Sequence, residues 1–249
     1  MCIRFYSSRC PSVQAPILSV TDMHVSRGRV GQAYRVELSS LTLCAGEAVA
    51  VVGPSGCGKS TLLEALGLIL KPERVGQFQL LQTDLASDLT LRAGRREARW
   101  ARLRQHQMGY VPQTGGLLPF LTVRQNIDLP ASMSGRAIDR TLLARLVERL
   151  KLTDLLNRFP RELSIGERQR VSFARAVAHQ PALILADEPT AALDPNLAHE
   201  LFALIIEVVS EFNIAALIVT HEWSLVAESK LRKVVALVQA DHRTVFHEQ

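Results

Sequence analysis

The run Gly53-Pro54-Ser55-Gly56-Cys57-Gly58-Lys59-Ser60-Thr61 fits the pattern G-x-x-x-x-G-K-[ST], and each part of that pattern has a use around phosphate. Glycines let the backbone curl until successive N–H groups point inward at phosphate oxygens. The helix that follows adds the positive end of its dipole. Lys59 can reach the β and γ phosphates, and Ser60 offers a hydroxyl to Mg²⁺. A purely structural glycine turn would satisfy the same letters. Context decides between the two: a short apolar run, Ala48 to Val52, precedes the turn, and helical spacing from Ser60 to Leu70 follows it. Residues 53–61 are therefore expected to cradle ATP with Mg²⁺.

A second constellation lies further along. Leu183 to Ala186 reads as a buried strand that delivers two adjacent carboxylates, Asp187 and Glu188, at its C-terminal end. Ligands of parallel sheets sit at that end. Asp187 is the expected Mg²⁺ ligand. Glu188, pointing the other way, is the expected general base for an attacking water. Ahead of this strand, Ser164-Ile165-Gly166-Glu167 has the form of a capping box that opens a helix. A capped helix start aims free N–H groups outward, a ready partner for a terminal phosphate.

Taken with its neighbours, Leu163-Ser164-Ile165-Gly166-Glu167-Arg168-Gln169 resembles the signature sequence of ABC (ATP-binding cassette) ATPases, and the resemblance spans roughly residues 17 to 240. It implies roles for further residues. Gln113 matches the Q-loop, which links Mg²⁺ and the attacking water to a helical subdomain. Asp194, in Ala192-Leu193-Asp194, matches the D-loop. His221, after Val219 and Thr220, matches the histidine that senses the γ-phosphate. Ser164 and Gly166 would face the ATP of a second copy, so the working unit implied is a homodimer around two nucleotides. The resemblance also implies an integral membrane permease as partner, and a place on the cytoplasmic face of an inner membrane. Leu117-Leu118-Pro119-Phe120-Leu121-Thr122, Asn126-Ile127 and Leu129-Pro130 look like the group that powers lipoprotein release and macrolide-type export. An alternative is a regulatory cassette that transmits ATP-driven change across the membrane and moves no substrate. Two departures stand out. Ile165 replaces a signature glycine, which would narrow the approach of the partner's nucleotide. Glu167 replaces a glutamine, and is expected to turn back onto Ser164 so that its charge avoids the phosphates. His24 and Tyr34 are the candidates for stacking on adenine.

These residues need rigid elements to hold them. Ile17 to Val25 and Tyr34 to Leu43 read as antiparallel strands, and Met108 to Val111, Leu183 to Asp187 and Ala215 to Thr220 as short apolar strands. Helical patterns cover Thr122 to Leu156, Ser164 to Ala178 and Leu197 to Ser210. Alternating strands and helices imply a parallel sheet covered on both faces. The expected fold is α/β: a P-loop, RecA-like core with a mostly parallel sheet, a small N-terminal antiparallel part and an inserted helical subdomain. Its division would be a core of 17–113 and 179–249, a helical part of about 114–178, and a frayed extension over 1–16.

The chain's 249 residues, 47% of them apolar, suit one large domain. No stretch has the ~18 apolar residues of a membrane span, and the N-terminus lacks the apolar middle of a signal peptide. Cytoplasmic residence is expected, with Cys2, Cys10, Cys44 and Cys57 as free thiols. The net charge of +5 draws on Arg92, Arg95, Arg96, Arg99, Arg102 and Arg104. That run reads as a solvated helix face, and nucleic acid is not an expected partner. A soluble DNA-repair or translation ATPase would call for a long coiled coil or two fused cassettes, and neither pattern is visible.

Overall fold

The computed structural model describes residues 15–28, 33–239 and 242–249. Most of the expected extension over 1–16 lies outside them, as do Cys2 and Cys10. In chain order the elements are β1 (Leu18–Arg27), β2 (Tyr34–Leu43), β3 (Ala48–Val52), α1 (Lys59–Leu66), β4 (Gln77–Leu80), β5 (Thr83–Asp84), α2 (Ala93–Gln107), β6 (Met108–Val111), α3 (Val123–Ser134), α4 (Arg140–Arg149), α5 (Ile165–Val177), β7 (Leu183–Asp187), α6 (Pro195–Glu211), β8 (Ala215–Thr220), α7 (Trp223–Ser229), β9 (Arg232–Gln239) and β10 (Arg243–Glu248). The strands form one ten-stranded sheet in the order β5-β4-β1-β2-β10-β9-β3-β8-β7-β6. The half from β9 to β6 is parallel, whereas β1, β2, β4 and β5 pair antiparallel.

Side-chain alternation assigns the sheet two faces. Ala50, Val52, Ile184, Ala186, Ala216 and Ile218 point into the layer built from α3 to α7. Val49, Val51, Leu183, Leu185, Leu217 and Val219 point the other way, onto α1, α2 and the N-terminal strands. A period of two in the strands produces this division, and burial on both faces explains why β3, β7 and β8 are continuously apolar.

The arginine-rich stretch is a 15-residue helix, α2, anchored by a single buried residue, Trp100. Its indole N–H donates to Asp88 Oδ2 at 3.0 Å, and Arg99 Nε lies 3.1 Å from the same carboxylate. Arg92, Arg95 and Arg102 are exposed, as expected of a solvated face. The helical pattern expected from 122 to 156 divides into α3 and α4, because Gly135 adopts a left-handed φ of 68° and ends α3. One expectation is overturned. Cys44 is disulfide-bonded, while Cys57 is a buried free thiol. Disulfide formation depends on proximity in space, which spacing along the chain does not disclose.

Candidate active site

The glycine turn leaves the end of β3 and enters α1. Gly53 and Cys57 are buried beneath it, while Pro54, Ser55 and Gly56 form its exposed crest. Gly58 caps α1 with φ 93°, and a Cβ there would lie 2.5 Å from Val36 Cγ2. No other residue fits both the conformation and the space. Cys57 packs inward, and burial pushes its thiol pKa up, so it stays a neutral packing group. Thr61 is buried on the helix behind it.

Lys59 is only 5% exposed, yet it is well provided with acceptors. Its ammonium donates to the carbonyls of Gly53 and Pro54, at 3.0 Å each, and lies 3.6 Å from Glu188 Oε1. The backbone turn thus holds a cation at its centre. The Ser60 hydroxyl donates to Asp187 Oδ1 at 3.1 Å. Burial raises the Asp187 pKa, and the Ser60 hydrogen bond opposes that rise. A hydroxyl and a carboxylate side by side are hard oxygen donors of the kind that suit Mg²⁺. A cation there would relieve the burial of the carboxylate.

Glu188 is where the separate segments meet. Gln113 Nε2 donates to its Oε2 at 3.1 Å, and His221 Nδ1 lies 3.2 Å from the same oxygen. The chain turns sharply out of β7 at this residue, with φ 46° at Glu188, while its N–H donates to Val219 O at 3.0 Å. This turn separates the two adjacent carboxylates, so Asp187 meets Ser60 and Glu188 meets Lys59, Gln113 and His221. Tyr110 sits nearby in β6, its pKa pushed to about 12 by burial and by the carboxylates of Asp187 and Glu64. It remains neutral.

Ser164 and Asp194 are elsewhere. Ser164 caps α5: its Oγ accepts from Glu167 N at 3.2 Å, and its own N–H donates to Glu167 Oε2 at 2.7 Å. Glu167 therefore does turn back, and the Ser164 N–H holds its pKa low. Gly166 follows in the first turn, half-buried beside Leu193. Asp194 caps α6 by accepting from Asn196 N and Leu197 N. Among the described residues, neither side chain bonds to the glycine turn of its own chain. Ile165 is 46% exposed at the tip of α5. An open cavity of about 510 Å³ lies between this tip, Gln113–Thr114 and Ala191–Ala192.

Of the two aromatic candidates, Tyr34 is beside the glycine turn: a Cβ on Gly58 would approach its Cε1 to 3.3 Å. His24 is instead held between Asp22, at 2.8 Å, and Glu37, at 3.5 Å. Sequence reasoning missed Gln169, whose amide donates to Gln113 O at 2.9 Å. Its place in the signature stretch was the available signal.

A glycine turn that holds a lysine ammonium, an acidic strand end and a detached capped helix tip together mark an ATP-binding cassette. A family model described as ABC transporter matches residues 36–191, and the chain belongs to that family. It is an ATPase of the ABC type. Among curated relatives, the lipoprotein-releasing system ATP-binding protein LolD of Ruegeria sp. (strain TM1040) is 41% identical over 203 residues, 80% of this chain and 86% of the relative. LolD of Ehrlichia chaffeensis (strain ATCC CRL-10679 / Arkansas) is 36% identical over 214 residues, 84% and 87% respectively. Among solved structures, the dimeric post-hydrolysis state of the ATP-binding cassette MJ0796 bound to ADP and Pi superposes with a TM-score of 0.72. It is 27% identical and covers 88% of this chain and 93% of that one.

Proposed function

We propose that this cassette hydrolyses Mg²⁺–ATP as a homodimer and drives a separate membrane permease of the lipoprotein-releasing type, from the cytoplasmic face of an inner membrane. The observation that carries the chemistry is the convergence of Lys59, Gln113 and His221 on Glu188, all within 3.6 Å of its carboxylate. In this reading residues 53–61 wrap the phosphates through backbone N–H groups, and Lys59 exchanges its carbonyl partners for phosphate oxygens. Ser60, Asp187 and Gln113 would hold Mg²⁺, which would supply positive charge against the phosphates when bound. Glu188 accepts the proton of the attacking water, and His221 contacts the γ-phosphate. Tyr34, beside Gly58, stacks on the base.

Ser164, Gly166 and Asp194 complete the site of the second copy. Their separation from their own glycine turn supports that division. Among the described residues no helix is long and apolar enough to cross a membrane. The likeness to LolD relatives supports the permease class. The test is reconstitution in proteoliposomes with the membrane subunits of a lipoprotein-releasing permease. Mg²⁺–ATP should be hydrolysed and a lipoprotein released from the vesicles. ATP turnover that reshapes the membrane subunits and releases nothing would favour a regulatory cassette; absence of turnover would overturn the reading.

A further inference from the structure

The arginines of α2 divide into those that hold the fold and those that hold nothing. Arg96 lies over the Trp100 ring, 5.4 Å from its centroid, and 3.4 Å from Glu97. Arg99 meets Asp88, and Arg104 Nη1 donates to Leu68 O. Arg92, Arg95 and Arg102 are exposed, and among the described residues no hydrogen bond or ion pair ties their side chains. With Arg99 they follow one another at steps of three, four and three residues. That spacing keeps all four on one side of the helix, over about 15 Å of its length.

Nothing local favours this arrangement. Arginines three and four residues apart on a helix repel one another. Arg92 and Arg95 stand at the start of α2, where the dipole is positive and an acid would be stabilising; the first turn has none. The one acid of α2, Glu97, is on the opposite side, beside Arg96. A solvent-facing helix commonly alternates its charge signs. This one carries no lysine and a single uncompensated row of guanidinium forks, groups that bind phosphate through paired hydrogen bonds.

We propose that this stripe is a docking surface for a bilayer leaflet rich in anionic phospholipid, whose phosphates pair with Arg92, Arg95 and Arg102. The proposal rests on the membrane location inferred above and adds to it a contact made by the cassette itself. The stripe has no exposed bulky apolar side chain. Trp100 points into the core, and Ala98 and the half-buried Leu103 border an open groove of about 480 Å³ together with Arg95, Arg99 and Arg102. Protein partners are held chiefly by apolar or aromatic anchors in buried pockets. Single-stranded nucleic acids stack their bases on aromatic side chains. A charged leaflet needs neither, only a cluster of basic side chains near its surface.

The test uses the full chain alone, without permease, in sedimentation with vesicles. Vesicles of phosphatidylcholine are compared with vesicles of phosphatidylcholine mixed with phosphatidylglycerol. Wild type should bind the mixed vesicles at low salt, leave them as added salt screens the charges, and ignore phosphatidylcholine alone. A variant carrying Arg92→Gln, Arg95→Gln and Arg102→Gln should bind the mixed vesicles about a hundredfold more weakly, roughly fivefold for each arginine removed. It should keep wild-type ATP turnover and melt at or above the wild-type temperature, because only repulsion has been removed. Equal binding to both kinds of vesicle, or to neither, overturns the proposal, and so does a triple variant that binds like wild type. Lost binding together with a lowered melting temperature overturns it by assigning the three arginines to the fold. Tighter binding of a duplex oligonucleotide, or of a glutamate-rich helical peptide, at equal anion concentration overturns it in favour of nucleic acid or a protein partner. The membrane reading is judged apart from this. Vesicle binding without ATP-driven release from proteoliposomes would count against that reading and leave the stripe standing; release without vesicle binding by the isolated chain would remove only the stripe.

Discussion

Glu188 is the most heavily engaged carboxylate of the site, and its replacement gives the plainest outcome. Glu188→Gln should lower ATP turnover by ~10²–10⁴-fold, the scale of a lost general base, while an equilibrium titration still shows ATP binding. Lys59→Ala should instead weaken binding and turnover together, because a phosphate partner is lost from the ground state as well. Asp187 makes a prediction about pH. Burial raises its pKa, so the fold favours the neutral form. The stability linked to that preference is present below the ordinary carboxylate pKa and is lost as pH rises through the raised value. Wild type should therefore lose melting temperature across that window, measured without nucleotide, more than Asp187→Asn does. Mg²⁺-dependent turnover has the opposite sign, since only the ionised form holds the cation; it should fall as pH falls into the same window. The positions of Lys59, Ser60, Asp187 and Glu188 were legible because the motifs are local in sequence and bounded by strands. Tyr34 and His24 were not distinguishable by type or spacing. Only the fold puts Tyr34 against Gly58 and His24 between two acids.

At the scale of elements, helix ends and one buried amide deserve measurement. Ser164→Ala removes the acceptor for Glu167 N and should cost about 1 kcal/mol in chemical denaturation. Asn126 is fully buried in α3 and binds Leu118 through both its N–H and its carbonyl, as well as the carbonyls of Leu121 and Thr122. It shapes the loop between Gln113 and α3. Asn126→Leu strands these backbone groups, at about 1–3 kcal/mol for each that stays dry, and the denaturant midpoint should drop accordingly. Strands β3, β6, β7 and β8 were readable because burial on both faces leaves an uninterrupted apolar run. Helix α2 was legible only as a solvated, arginine-rich face, without its anchor, since Trp100 is its one buried residue and no apolar stripe marks its period. The last two strands escaped notice for another reason. β10 joins β9 to β2 across nearly the whole chain, a pairing that no local pattern announces.

The whole molecule bears on the divided site. Glu188→Gln with Mg²⁺–ATP should sediment as a dimer, and adding Ser164→Arg should return it to monomer, because arginine would crowd the partner's phosphate pocket without touching its own glycine turn. A double variant that still dimerises would remove Ser164 from the interface. The proposed division places α3, α4 and α5 in one helical part. Its outer tie to α6 is a set of exposed ion pairs, Arg145 with Glu211 and Arg149 with Glu207 and Glu211. Such pairs contribute only about 0–1 kcal/mol each, so the contact between these helices rests chiefly on the apolar core they share.

The two margins of the sheet have a consequence of their own. One ends in β5, only two residues long, and the other in the four-residue β6. Helix α5 lies so close over β6 that a Cβ on Gly109 would stand 2.2 Å from Ala176 O. Margins this short give an incoming strand almost no ladder to extend. Edge-to-edge aggregation is thereby disfavoured, and the two-copy arrangement proposed above would join loops and helix tips, contacts that a small ligand can make and unmake.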